Sequence, residues 1–323
     1  VSADMQFHSA VMFFGAMLVA FDPGKFEVFA YSNSKVSDDV TVSFQRSVTC
    51  WRPIAGLSDD AVESLIRADA IDILVDLSGH TAGNRLQVFA RKPAPILVTA
   101  WGYLTGTGLD AIDVIFSDAV LIPEHERTFY AERQVRYLPN AVCRFWPRVL
   151  PNVTGLPAQT AGALTFGSLN RVDKASDAVF ELWGRVLQAV PGSRFLMKTA
   201  ELGDPQAKAY VLRKFAAAGV GPERITLMGK TSWVDHMLAL GEIDITLDTF
   251  PQSGGVTTLE SLGMGVPVVT LAWPTIGGRM SATILTAVGM GDWIAGTPDA
   301  YVDIAVRKAG NLRELAETRL GLR

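Results

Sequence analysis

The chain has 323 residues, with 29 Lys+Arg against 33 Asp+Glu for a formal net charge of −4, and 49% of its residues are hydrophobic. That length favours about two domains, the apolar content is too high for disorder, and the mildly acidic balance argues against nucleic-acid binding as the main task, because phosphate backbones reward a strong basic excess. Cys50 and Cys143 are too few for a disulfide framework and fit a reducing, cytoplasmic compartment.

A mean hydropathy of +0.23 raises the question of a membrane. The most apolar run, residues 11–21, has about half the length a bilayer span needs and is closed by Asp22-Pro23-Gly24, so a buried helix is expected and no membrane association. Ahead of it, Val1-Ser2-Ala3-Asp4 reads as the end of a strand begun earlier. Short β-branched runs then alternate with amphipathic stretches, the pattern of a parallel α/β sheet. Strands are expected at residues 26–31, 72–76, 96–100 and 114–116, and helices at 9–21, 58–68 and 84–90. Residues 147–157 carry no periodicity and form the expected linker. The alternation restarts with strands at 164–166, 193–197, 225–228, 243–247 and 268–271. Helices are expected at 175–190, 205–218, 232–240, 257–264, 279–288 and, as one terminal element, 298–322. The division expected is a first lobe of residues 1–150 and a second of 151–323. Ile71-Asp72-Ile73 to Ala100-Trp101 aligns without a gap on Ile243-Asp244-Ile245 to Ala272-Trp273, with Asp76 on Asp248, Gly83 on Gly255 and Pro95 on Pro267. Generic strand–loop–helix–strand composition would give such a match, and so would two Rossmann-like lobes facing each other across a cleft.

Ligands of such sheets bind at the carboxyl ends of strands, which directs attention to two segments. In residues 248–260 (DTFPQSGGVTTLE) a strand end is followed by a glycine-containing turn and a helix opening on Thr257-Thr258. Unpaired N–H groups and the positive end of the helix dipole suit a phosphate there, although an ordinary capped βα turn has the same pattern. Neither the Walker loop nor GxGxxG is present, and Glu260 is placed to meet ribose hydroxyls. In residues 166–174 (FGSLNRVDK), Arg171 and Lys174 stand where a diphosphate could be neutralised; a lysine at a helix N-terminus opposes the dipole, which favours a functional reason over a plain surface role. The four histidines, His8, His80, His125 and His236, form no metal motif, and no Asp-x-Asp triplet occurs, so no metal is expected.

Taken in order, residues 1–8 (VSADMQFH), 26–33 (FEVFAYSN), 71–85 (IDILVDLSGHTAGNR), 91–108 (RKPAPILVTAWGYLTGTG), 166–174, 235–248 (DHMLALGEIDITLD) and 248–267 (DTFPQSGGVTTLESLGMGVP) resemble the catalytic region of the O-GlcNAc transferase and SPINDLY-type glycosyltransferases of family 41, particularly bacterial members. The resemblance covers nearly the whole chain. It implies a GT-B fold of two Rossmann-like lobes, with acceptor contacts on the first and the nucleotide sugar on the second. It also implies inverting, metal-independent transfer of a sugar, GlcNAc from UDP-GlcNAc first of all, to Ser or Thr of a protein acceptor. Under it Lys174 stabilises the departing diphosphate and Gly255, Val256 and Thr257 form the helix-end phosphate site, with Asn170 and Arg171 beside them. His236 contacts the base, Glu260 the ribose, and Trp101, Gly102 and Tyr103 line the sugar pocket. His8 takes the place of a histidine considered as general base and as site organiser.

Animal transferases have histidine where this chain has Gly255 and glutamine where it has Arg171. Phe250-Pro251 leans towards the SPINDLY branch, some of whose members use GDP-fucose, and a related branch moves glucose to asparagine. The tetratricopeptide repeats that the family's full-length proteins carry are expected outside this sequence, which has no 34-residue repeat. The first strand and the closing helices are expected to be clipped. A nucleotide-sugar epimerase and a non-catalytic nucleotide-sugar-binding remnant are the competing readings.

Overall fold

Where β-branched runs alternate with helices, each strand must be followed by a crossover, and in the computed structural model, which describes residues 1–103, 105–142 and 144–323, every paired strand is parallel. Cys143 lies outside the described residues; Cys50 is a free thiol. The chain divides into two compact units, Val1–Arg148 and Val149–Arg323. No helix of the described residues is long and apolar enough to cross a membrane.

The first unit runs α1 (Val11–Ala20), β1 (Phe29–Ser32), α2 (Asp39–Ser47), β2 (Cys50–Pro53), α3 (Asp59–Ala68), β3 (Ile73–Asp76), α4 (Leu86–Ala90), β4 (Ile96–Thr99), β5 (Val114–Ser117) and β6 (Gln134–Tyr137). β1 pairs with β2, and β3-β4-β5-β6 form a second sheet. The strand end expected at Val1–Asp4 is an isolated bridge, Ser2 to Ser32, yet it ties the two sheets together. Ser2 N donates to Tyr31 O, Val1 N to Val75 O at 2.8 Å, and Leu77 N to Val1 O at 3.0 Å. Two cores fill the layers beside the sheets. One holds Tyr31, Val62, Ile66, Leu74, Phe89 and Leu97; the other holds Val11, Phe14, Leu18, Val40, Phe44 and Leu77.

The second unit runs α5 (Pro157–Ala161), β7 (Thr165–Ser168), α6 (Asp177–Ala189), β8 (Arg194–Lys198), α7 (Pro205–Ala217), β9 (Ile225–Met228), α8 (Trp233–Leu240), β10 (Ile245–Leu247), α9 (Val256–Gly263), β11 (Val268–Leu271), α10 (Met280–Ala287), β12 (Ile294–Ala295), α11 (Pro298–Ala309) and α12 (Leu312–Gly321). One six-stranded sheet has the order β12-β11-β10-β7-β8-β9, so the chain reverses direction across the sheet at β7, where ligand crevices open. Phe180, Trp183, Phe195 and Phe215 pack with ring centroids as close as 4.8 Å, each contributing about 2–3 kcal/mol by burial.

Several sequence expectations need correction. Residues 298–322 form two helices, because the first closes at Gly310 and Asn311 starts the next by accepting from Glu314 N at 3.2 Å. Helix α2 has no counterpart among the expected elements because Val40-Thr41-Val42 is β-like in composition; Asp38 overrides this by accepting from Thr41 N at 2.9 Å as N-cap. Strand β2 beyond it, and β6 and β12, are likewise additions to the expected set. The ungapped alignment of the two units fails by one residue: Ile73 pairs with Ile96, 23 residues on, whereas Thr246 pairs with Val268, 22 residues on.

Candidate functional site

Asp248 follows β10 and is 1% exposed. Its Oδ1 accepts from Thr249 N at 2.9 Å, Gly254 N at 2.8 Å and Asn170 Nδ2 at 3.1 Å, and its Oδ2 accepts from Thr270 Oγ1 at 2.8 Å. One buried carboxylate therefore closes the turn of residues 249–254, fixes the Asn170 amide from the β7 loop and locks to β11. Gly254 leaves no room for a side chain, since a Cβ there would lie 2.6 Å from Thr257 Oγ1 and 2.7 Å from Thr258 Oγ1. The turn delivers Gly255 to the N-cap of α9, where no side chain caps the helix. First-turn N–H groups without a side-chain cap, at the positive end of the dipole, suit an anion.

Around this helix end the β7 loop supplies the remaining groups. Thr257 Oγ1 donates to Asn170 Oδ1 at 3.1 Å, and Lys174 Nζ donates to Ser253 O at 3.0 Å. Burial pushes the Lys174 ammonium below its ordinary value, opposed by the Asp248 carboxylate. A cation held under desolvation beside uncapped amides is poised to gain from a doubly charged anion. Thr258 Oγ1 shares a 2.7 Å hydrogen bond with Ser281 Oγ of α10. On the next turns of the neighbouring helices, His236 Nε2 lies 3.3 Å from Glu260 Oε2, which joins α8 to α9.

The structure brings Asn170, Lys174, Gly255, Val256 and Thr257 together, and separately pairs His236 with Glu260. Arg171 is not drawn in: its guanidinium turns to Asp173 at 3.0 Å with both side chains exposed. Asp248, Ser253 and Thr270 are supports that sequence reasoning does not single out; the match of Asp76 to Asp248 is the available signal.

In the first unit the same device recurs. Asp76 accepts from Ser78 N, Gly79 N and Thr99 Oγ1, the last at 2.8 Å. After β4, Trp101 takes a φ of +58° and donates Nε1 to Ala141 O at 2.6 Å, a strained conformation for a large residue. Gly102 follows because a Cβ there would stand 1.9 Å from Leu77 O. Tyr103 is half-exposed and meets the His80 ring edge-on at 5.7 Å. His8, in the turn before α1, is exposed; its Nδ1 accepts from Ala10 N at 3.3 Å and lies 3.5 Å from Asp4 Oδ1. Burial raises the Asp4 carboxyl above its ordinary value, and the charge of His8 opposes the shift.

The family model of Glycosyl transferase family 41 matches residues 1–144 and 152–321. A probable UDP-N-acetylglucosamine–peptide N-acetylglucosaminyltransferase SPINDLY of Petunia hybrida is 35% identical over 100% of this chain and 35% of its own length. The relative called SEC in Arabidopsis thaliana is 28% identical over 98% of this chain and 33% of its own length. A mutant of the Thermobaculum terrenum O-GlcNAc transferase superposes with a TM-score of 0.93 at 34% identity, covering 100% of this chain and 61% of that one. The chain thus spans about a third of the length of the curated relatives it matches. The lipopolysaccharide outer core galactosyltransferase WaaB shares the fold at a TM-score of 0.52 and 11% identity. With α/β units of the GT-B class and a family match that runs nearly from end to end, this chain is a member of glycosyltransferase family 41.

Proposed function

We propose that the chain is the catalytic region of a protein O-glycosyltransferase that moves GlcNAc from UDP-GlcNAc to Ser or Thr of protein acceptors, with inversion and without a metal. The observation that carries the reading is the convergence of Lys174 and the uncapped end of α9 on the turn fixed by Asp248. A single in-line displacement needs no covalent intermediate. The acceptor oxygen bonds to the anomeric carbon, the bond from that carbon to the diphosphate oxygen breaks, and the acceptor proton leaves to a base. The charge that grows on the diphosphate is what Lys174 and the α9 amides are placed to hold. Asn170 and Thr257 orient that helix end, and His236 with Glu260 serves the nucleoside.

His8 acts as a site organiser in this reading. Because Nδ1 is engaged by the Ala10 N–H, Nε2 is the ring nitrogen left for substrate. Trp101, Gly102 and Tyr103 are assigned to the sugar. A tetratricopeptide segment elsewhere in the full-length protein would collect acceptors.

The chain's stronger similarity to SPINDLY-named relatives than to SEC keeps a second donor, GDP-fucose, in the test. Full-length protein is incubated separately with UDP-GlcNAc, UDP-glucose and GDP-fucose, with and without a chelator, and acceptors are read by mass spectrometry. GlcNAc added to Ser or Thr, undiminished by the chelator, is the expected result. Fucose or glucose addition would replace the donor assignment, isomerised sugar without acceptor would point to an epimerase, and tight donor binding without transfer to a non-catalytic remnant.

A further inference from the structure

β8 ends at Lys198, which is 1% exposed. Among the described residues its ammonium makes one hydrogen bond, Nζ donating to Gly229 O at 2.9 Å. The carboxylate it feels, Asp235, acts from beyond ion-pair distance, and burial holds the ammonium below its ordinary value. Burying an ammonium with a single acceptor costs stability that a methionine in the same space would avoid, so packing does not account for a lysine here.

The neighbours of Lys198 supply the reason. Gly229 opens the turn between β9 and α8, and the same turn is held by Thr199 N donating to Met228 O at 3.1 Å. A Cβ on Gly229 would stand 3.0 Å from Gly203 N, so the two loops are already in close contact. Ser232 then starts α8, accepting from Asp235 N at 3.2 Å and donating to Asp235 Oδ2 at 2.7 Å. One residue further, His236 reaches Glu260 on α9. The turn that leads into α8 is therefore held by Lys198, and α8 itself is joined along its side to the helix assigned to phosphate.

We propose that Lys198 is a positioning residue for the nucleoside end of the donor site: by holding the Gly229 carbonyl and facing Asp235 it sets where α8 and His236 stand against α9. The inference rests on the donor-site reading above. It separates two parts of one ligand, because a diphosphate needs Lys174 and α9, whereas the nucleoside needs α8 as well.

The test is calorimetric titration of the 323-residue chain and its Lys198→Met and Lys198→Gln variants with UDP, GDP and inorganic pyrophosphate, together with hydrogen exchange of amides 229–236. Lys198→Met is expected to weaken the nucleoside diphosphate that the unsubstituted chain binds by about tenfold, the scale of one buried charged hydrogen bond, and to leave pyrophosphate affinity unchanged. Exchange should quicken at residues 229–236 and not in β7 or β10. Lys198→Gln, whose amide still donates to a carbonyl, should recover part of the loss, and it carries the comparison if the methionine variant does not fold. Unchanged nucleotide affinity and exchange in a folded variant, or equal losses for nucleotide and pyrophosphate, would overturn the proposal. If the unsubstituted chain binds pyrophosphate but neither nucleotide, the donor reading falls, and the exchange data alone decide whether Lys198 holds the turn.

Discussion

Asp76 and Asp248 end equivalent strands, and each accepts a 2.8 Å hydrogen bond from a threonine on the next parallel strand, Thr99 or Thr270. The loops they close are unlike. Asp76 closes a tight turn on Ser78 and Gly79, and the chain then enters the five-residue helix α4, whose N-cap Arg85 makes no side-chain cap and whose first amide, Leu86 N, is taken by Asn84 Oδ1 at 3.2 Å. Asp248 closes a longer turn on Gly254, also captures Asn170, and launches the eight-residue α9 with an empty cap and Lys174 beside it. The carboxylate is thus a general device for shaping a loop at a strand end. On the donor reading, what sets the second loop apart is the turn closed on Gly254, an eight-residue helix without a side-chain cap, and a desolvated cation beside it.

The sharpest way to break this contrast is to remove the cation. Lys174→Ala is expected to lower kcat/KM for transfer by about 10²–10³-fold, the scale for losing one preorganised charge donor, in a variant that still folds; full turnover by the variant would sink the role. Next, Asp248→Asn should weaken nucleoside diphosphate binding by about ten- to a hundredfold, since one amide oxygen cannot replace four acceptor contacts. Asp76→Asn, which disturbs the matching device in the other unit, should leave that affinity unchanged, and calorimetry on both variants decides the point.

A third substitution tests whether the second unit is stabilised independently of its site. Arg319 is fully buried and donates to Thr154 O, Ile243 O and Gly241 O. Arg319→Met should cost about 3 kcal/mol in denaturant unfolding by leaving those carbonyls unpaired, while its folded fraction still binds nucleotide. The smallest effect is a pH dependence. The folded-state value of Lys174 is depressed by burial, so between that value and the ordinary lysine value the unfolded chain binds more protons and this lysine's contribution to stability rises with pH. Lys174→Met should therefore stabilise near neutral pH. The gain should shrink as pH climbs from the depressed value towards the ordinary lysine value, and urea midpoints across alkaline pH would show it.

Much of this architecture is readable in the chain itself. The strands of the second unit are apolar runs bounded by glycine and polar residues, and the helix opening on Thr257 announces itself by position. α2 is hidden because a capping aspartate outweighs β-branched composition, and the break at Gly310 because periodicity carries across a short interruption. Among site residues, Lys174 and Thr257 are legible from their places at strand ends. Asp248 shows as a strand end and a repeat match, but its role does not, since nothing in a sequence tells a buried carboxylate that organises a loop from one that faces water. Lys198 is invisible for the same reason: its meaning lies in the Gly229 carbonyl, 31 residues away.

The most direct test of the donor seat is photolabelling of the 323-residue chain with an azido-UDP probe, followed by peptide mapping, with competition by unlabelled UDP. The predicted result is UDP-protected label on peptides spanning residues 229–260, lost in Asp248→Asn and kept in Asp76→Asn. Protected label confined to residues 1–148 would contradict it.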